Sequence, residues 1–141
     1  MLSILVVCHG NLAHEFVDAA RRILGEEDPL VVPLSIGWNQ EASEAKEAIR
    51  KTLKKLLEKT STVLVLTDLF GGTPTNLAMT FYEAGKVEIL TGMNLPMLIK
   101  AILLRREGIP SKEALPLLRE KGQSAMVSVS EVLSPEEGAG A

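Results

Sequence analysis

The sequence predicts an α/β fold: a doubly wound, mainly parallel sheet of strand order 2-1-3-4, with helices on both faces and a last, antiparallel edge strand. Three observations carry this expectation. Short apolar runs alternate with stretches of helical periodicity along the chain, the βαβ pattern that forces strands to run parallel. Ile4 to Val7 and Val63 to Leu66 are continuous apolar runs, as strands covered on both faces require. The last run, Met126-Val127-Ser128-Val129-Ser130-Glu131-Val132, alternates residue by residue, the period of a half-exposed strand.

The first strand, Ser3 to Val7, runs out at Cys8-His9-Gly10. Leu12, Ala13, Phe16, Val17, Ala20, Ile23 and Leu24 then repeat at helical spacing, and Gly25 ends the pattern. Leu30 to Leu34 is the second strand, with Pro33 demoting it to an edge. After Gly37-Trp38-Asn39 a long helix is expected from about Glu41 to Lys59, its apolar stripe formed by Ala45, Ile49, Leu53, Leu56 and Leu57. The third strand, Val63 to Leu66, ends at Thr67-Asp68. Thr73 is the expected cap of the next helix, with Pro74 at its first position. Val87 to Leu90 is the fourth strand, and Asn94 precedes a helix from Leu95 to Arg106. Ser111 is the expected cap of a further helix ending near Gly122, and Pro116 is expected to disturb its first turns.

Composition narrows the function classes. A chain of 141 residues, 46% hydrophobic and 23% charged, is a folded globular protein by these measures. One domain is expected over residues 1–133, with Ser134 to Ala141 a disordered tail. A net charge of −3 is too mild for a nucleic-acid partner. No apolar run approaches the roughly 20 residues of a membrane span, and Met1-Leu2-Ser3-Ile4 lacks a signal-peptide start. Cys8 is the sole cysteine, so no internal disulfide forms and a reducing cytoplasm is the expected location.

The chemistry gathers at strand ends. In the order 2-1-3-4 the first and third strands are neighbours, and the crevice between their carboxyl ends is the topological switch point. His9 and Asp68 meet there. A carboxylate taking the Nδ1 proton leaves Nε2 as a nucleophile and stabilises the positive ring formed on attack. Gly71, Gly72 and Thr73 lead into a helix whose first amides favour anions, with the Thr73 hydroxyl close by. Gly10 and Asn11, opening the first helix, offer a second set of amides. The combination points to a histidine that carries a phosphoryl group.

At Asp68-Leu69-Phe70-Gly71-Gly72-Thr73-Pro74-Thr75-Asn76 the chain resembles the mannose-family enzyme IIA (EIIA-Man) domains of the bacterial phosphoenolpyruvate:sugar phosphotransferase system. The resemblance continues at His9-Gly10 and at Gly92-Met93-Asn94-Leu95-Pro96-Met97-Leu98. It implies a phosphotransferase component that accepts a phosphoryl group from the phosphocarrier HPr on His9, with Asp68 as partner of the imidazole. Onward transfer then goes to an EIIB component for sugar uptake. It further implies that Thr73 and its preceding glycines form the phosphate-side loop and that Asn94 is the polar residue of the loop after strand four. A homodimer exchanging its last strand is implied too. The membrane is reached only through the EIIC/EIID permease, and no metal or organic cofactor is implied. Cys8 stands where serine or threonine is commoner, Phe70 where tryptophan can stand, and Gly37-Trp38-Asn39-Gln40 has no counterpart. The chain ends without an EIIB segment, so a separate acceptor polypeptide is expected. The nearest rivals are the phosphocarrier subunit of a dihydroxyacetone kinase and a regulatory module whose phospho-His9 is read without onward transfer.

Other residues have plainer readings. Cys8 and His9 point to opposite faces of a strand, so Cys8 is a buried structural thiol rather than a nucleophile. His14 is a surface residue; its spacing from His9 resembles that of metal ligands, but no acidic or cysteine partners complete a set. The lysines of the long second helix are a solvated face. Trp38 and Phe70 sit on loops at the carboxyl end of the sheet, as contact anchors or folded onto the core.

Overall fold

The structure, a computed structural model, describes residues 1–134. Its sheet holds β1 (Leu2–His9), β2 (Val31–Ile36), β3 (Thr62–Thr67) and β4 (Val87–Leu90) in the order β2-β1-β3-β4. All three neighbouring pairs are parallel. The helices are α1 (Leu12–Leu24), α2 (Ala42–Leu57), α3 (Thr73–Met79), α4 (Leu95–Arg106), α5 (Ser111–Ser124) and α6 (Val129–Leu133).

Alternation along β1 divides the core into two layers. Ile4, Val6 and Cys8 pack with Ala13 and Val17 of α1, Leu98 and Ile102 of α4 and Leu118 of α5. Leu5 and Val7 point the other way, onto Ile49 and Leu53 of α2 and Ala78 of α3. Both faces are therefore covered, which is why the run needed no polar alternation. Pro33 lies in β2, an edge strand, where its missing N–H costs no ladder bond on the open side. Among the described residues no helix is long and apolar enough to cross a membrane.

Local signals set most helix limits. Gly25 ends α1 in the left-handed region, φ +73°, and donates its N–H to the Arg21 carbonyl. Asn94 caps α4, its side chain accepting from the Met97 amide at 3.0 Å. Two expectations shift by one residue: Gly72 rather than Thr73 caps α3, and Pro110 rather than Ser111 caps α5. Pro116 does not interrupt α5. It stands near the helix start, where one lost backbone bond is tolerated, and buried Ala114 and Leu118 hold the surrounding turns to the core.

The expected fifth strand is not formed. The serine-valine segment instead makes the short helix α6, with Met126, Val127, Val129, Val132 and Leu133 exposed. Period-2 alternation specifies a half-buried strand only where a sheet edge accepts it. Among the described residues neither open edge of this sheet pairs with the segment, so its backbone satisfies itself locally. Of the expected tail, all but Ser134 lies outside the described residues.

Candidate functional site

The site is built where parallel pairing ends. The β1–β3 register closes at Val7 opposite Thr67, and Asp68 is the first residue past β3. The next amide of β1, that of His9, has no ladder partner on β3. Asp68 supplies one: its Oδ2 accepts the His9 backbone N–H at 2.9 Å. The same oxygen stands 2.8 Å from His9 Nδ1. A carboxylate can only accept, so Nδ1 carries the proton and Nε2 presents its lone pair. Both side chains are partly open to solvent, His9 at 22% and Asp68 at 12%. Asp68 Oδ1 is buried and has no hydrogen-bond partner among the described residues, which leaves its charge to act on the imidazole.

Gly72 explains how the loop after β3 approaches the ring. A Cβ there would lie 2.6 Å from His9 Cε1 and 3.1 Å from Nε2, well inside contact distance. Its N–H turns inward to the Leu69 carbonyl at 3.2 Å, so Gly72 serves the site by its missing side chain rather than by its amide. Gly71 makes the turn in the left-handed region, φ +88°. Thr73 opens α3, exposed, and no side chain caps that helix. Beneath the loop, buried Thr75 donates its hydroxyl to the Leu69 carbonyl at 2.6 Å and lies 2.8 Å from Thr67 Oγ1.

Gly10 takes φ +55° to turn the chain from β1 into α1, and its N–H continues the sheet by bonding the Ile36 carbonyl at 2.8 Å. Its amide is therefore spent, and the second anion cradle expected at Gly10 and Asn11 is reduced to Asn11. Trp38, expected from sequence as a loop contact anchor or folded onto the core, instead stacks on the His9 imidazole with ring centroids 5.4 Å apart and 24° between planes. Phe70 faces away: it lines an apolar groove of about 290 Å³ with Thr75, Met79, Tyr82, Ile89 and Thr91. Asn94 is engaged elsewhere, capping α4 and donating to the Gly122 carbonyl at 2.8 Å. His14 is exposed and bonds Ser35 Oγ at 2.6 Å. Cys8 is buried; loss of solvation, with a smaller effect of the Asp68 charge, pushes its thiol up to about 12. Among the described residues no group of three His, Cys, Asp or Glu side chains is placed to hold a metal.

The stacking of Trp38 on His9 and the hydroxyl bond of Thr75, a residue inside the Asp68 to Asn76 motif, were missed because no local pattern encodes either contact. The available signal was positional: Trp38 follows β2 at the same end of the sheet as His9, and Ile36 is registered with His9.

A parallel sheet with its functional groups outside the carboxyl ends of two adjacent central strands places the protein among the doubly wound α/β proteins. Comparison narrows this class. A family model described as the PTS system fructose IIA component, EIIA-man, matches residues 3–118. The fructose-specific EIIA component of the PTS system of Bacillus subtilis is 33% identical over 135 residues, covering 94% of this chain and 90% of that protein. The mannose-specific EIIAB component of Escherichia coli K12 is 28% identical over 131 residues, 89% of this chain but only 38% of that longer protein. Among solved structures, the PTS IIA protein associated with the fucose utilization operon of Streptococcus pneumoniae superposes with a TM-score of 0.81 at 30% identity, covering 94% of this chain and 96% of that one. The chain belongs to the EIIA-man family, the mannose-family IIA components of the sugar phosphotransferase system, and a phosphocarrier role comes with that membership.

Proposed function

We propose that the protein accepts a phosphoryl group from phospho-HPr on Nε2 of His9 and passes it to an EIIB component for sugar uptake. The observation that carries this reading is the 2.8 Å contact of His9 Nδ1 with Asp68, which sets the tautomer and leaves Nε2 as the nucleophile. In the transfer, the Nε2 lone pair forms a bond to phosphorus while the donor's P–N bond breaks, its electron pair remaining on the donor imidazole. No proton moves. Nδ1 keeps its hydrogen, the His9 ring becomes cationic, and Asp68 faces the new charge. Positioning and charge stabilisation supply most of the catalysis in phosphoryl transfer. The amides of Gly71 and Thr73 and the Thr73 hydroxyl are the donors for the phosphoryl oxygens, with Gly72 leaving the space beside the ring.

The relatives' names give fructose, mannose and fucose utilisation for those proteins, so sugar transport is assigned here without a particular sugar. Residues 1–133 are read as one phosphotransfer domain in the cytoplasm, acting as a homodimer. Support for the dimer comes from the exposed apolar residues Met126, Val127, Val129 and Val132 and from the open edge of β4. Next to that edge runs a groove of about 500 Å³ that includes Leu90, Met97 and Met126. Exchange of the Ser124 to Val132 segment would give that edge a strand. A monomer in sedimentation equilibrium overturns the dimer alone.

The phosphocarrier reading is tested by incubation with phosphoenolpyruvate, enzyme I and HPr. Wild type is expected to take up acid-labile phosphate and His9→Ala none. Labelling that survives in His9→Ala, or its absence in wild type, overturns the assignment.

A further inference from the structure

We propose that Trp38 is a positioning residue for phosphoryl transfer, its indole fixing the plane of the His9 imidazole and stabilising the positive ring that phosphorylation creates. The proposal rests on the reading of His9 as the phosphoryl carrier. Asp68 holds the ring at one edge through Nδ1, and a single edge contact leaves the ring free to tilt. Trp38 occupies the face. A π-face with its centroid 5.4 Å from the ring lies within the roughly 6 Å over which an aromatic attracts a cation.

The contact is built rather than incidental. Ile36 pairs with His9 in the β1–β2 register, so the chain leaving β2 emerges beside the imidazole. The turn that follows is closed twice, by the Gln40 amide donating to the Gly37 carbonyl at 3.2 Å and the Gly37 amide donating to Gln40 Oε1 at 3.1 Å. Gly10 leaves room for the indole: a Cβ there would lie 2.8 Å from Trp38 Nε1. Core packing does not explain the orientation, because Trp38 remains 77% exposed. Its inner face meets the imidazole, and little else of it is covered.

Trp38 is the sole tryptophan, so intrinsic emission reports this stack. The first measurement is the emission of the unphosphorylated protein between about pH 9 and pH 5, the span in which histidines titrate. A protonated imidazole against the indole is expected to quench it. Asp68 is the titratable group hydrogen-bonded to His9, and Cys8 lies on the opposite face of β1. The quenching step is expected in wild type and in His14→Gln and absent in His9→Gln. A flat profile in wild type, or a step that persists in His9→Gln, overturns the proposal. No phosphoryl transfer enters this readout, so its outcome stands apart from that of the phosphocarrier reading.

The second measurement uses potassium phosphoramidate, whose P–N bond breaks with ammonia leaving as Nε2 takes the phosphoryl group. A small donor removes partner docking from the result. Trp38→Ala is expected to form phospho-His9 more slowly and to lose it faster by roughly twofold to fivefold, the range of an exposed cation–π contact. Trp38→Phe should restore most of the difference. Rates in Trp38→Ala equal to wild type overturn the proposal.

Discussion

One oxygen of Asp68 receives two donors from the same residue, the backbone N–H of His9 at 2.9 Å and its ring Nδ1–H at 2.8 Å. The carboxylate thus continues the sheet by one rung and orients the nucleophile in the same act. Replacing Asp68 with Asn keeps an oxygen able to accept both bonds and removes the charge. The difference between charged and neutral hydrogen bonds is about 1–2 kcal/mol, about tenfold or somewhat more in rate. Phosphorylation of Asp68→Asn by HPr should slow accordingly with its melting temperature little changed; an unaltered rate would remove Asp68 from the mechanism.

The two loop glycines separate backbone strain from steric fit. Gly72 has φ −83°, open to any residue, yet its Cβ would press on His9 Cε1 at 2.6 Å. Gly72→Ala should fold and lose most phosphorylation. Gly71 has φ +88° with nothing within 4 Å of a Cβ. Gly71→Ala should cost about 1 kcal/mol of stability through backbone strain. Equal activity loss in both variants, read by initial labelling rate beside denaturant midpoint, contradicts this division.

Thr75 holds the loop from beneath. Thr75→Val leaves the Leu69 carbonyl without its hydroxyl donor and should lower stability by about 1–3 kcal/mol. Thr73→Val, at an exposed position, should stay within about 0.5 kcal/mol. Urea denaturation of the two variants decides it, and similar midpoints would refute the buried role of Thr75.

Cys8 links folding to alkaline pH. An unfolded thiol releases its proton near 9.0, whereas the folded one holds it to about 12. Over that window the native state binds more protons than the unfolded state, so stability falls as pH rises, with a limiting slope of about 1.4 kcal/mol per pH unit. Below the window this contribution is fully present. Cys8→Ala should lose stability overall through its cavity but show a flatter alkaline profile; denaturation midpoints across the alkaline range that fall equally in both proteins would exclude the thiol as the cause.

Sequence alone determined the four parallel strands, the limits of α1 and α4, and the meeting of His9 with Asp68. Continuous apolar runs, Gly25 and Asn94 as helix boundaries, and the switch-point rule are local or topological signals that survive without coordinates. Tertiary structure decided the rest. Whether Val127, Val129 and Val132 form a strand depends on an edge to pair with, and alternation cannot show one. That Trp38 covers the imidazole, that Gly72 leaves room for it, and that Asn94 turns from the site to α5 are outcomes of register and side-chain packing between distant segments. Contacts of that kind are set by how the elements settle on one another, and no periodicity in the chain encodes them.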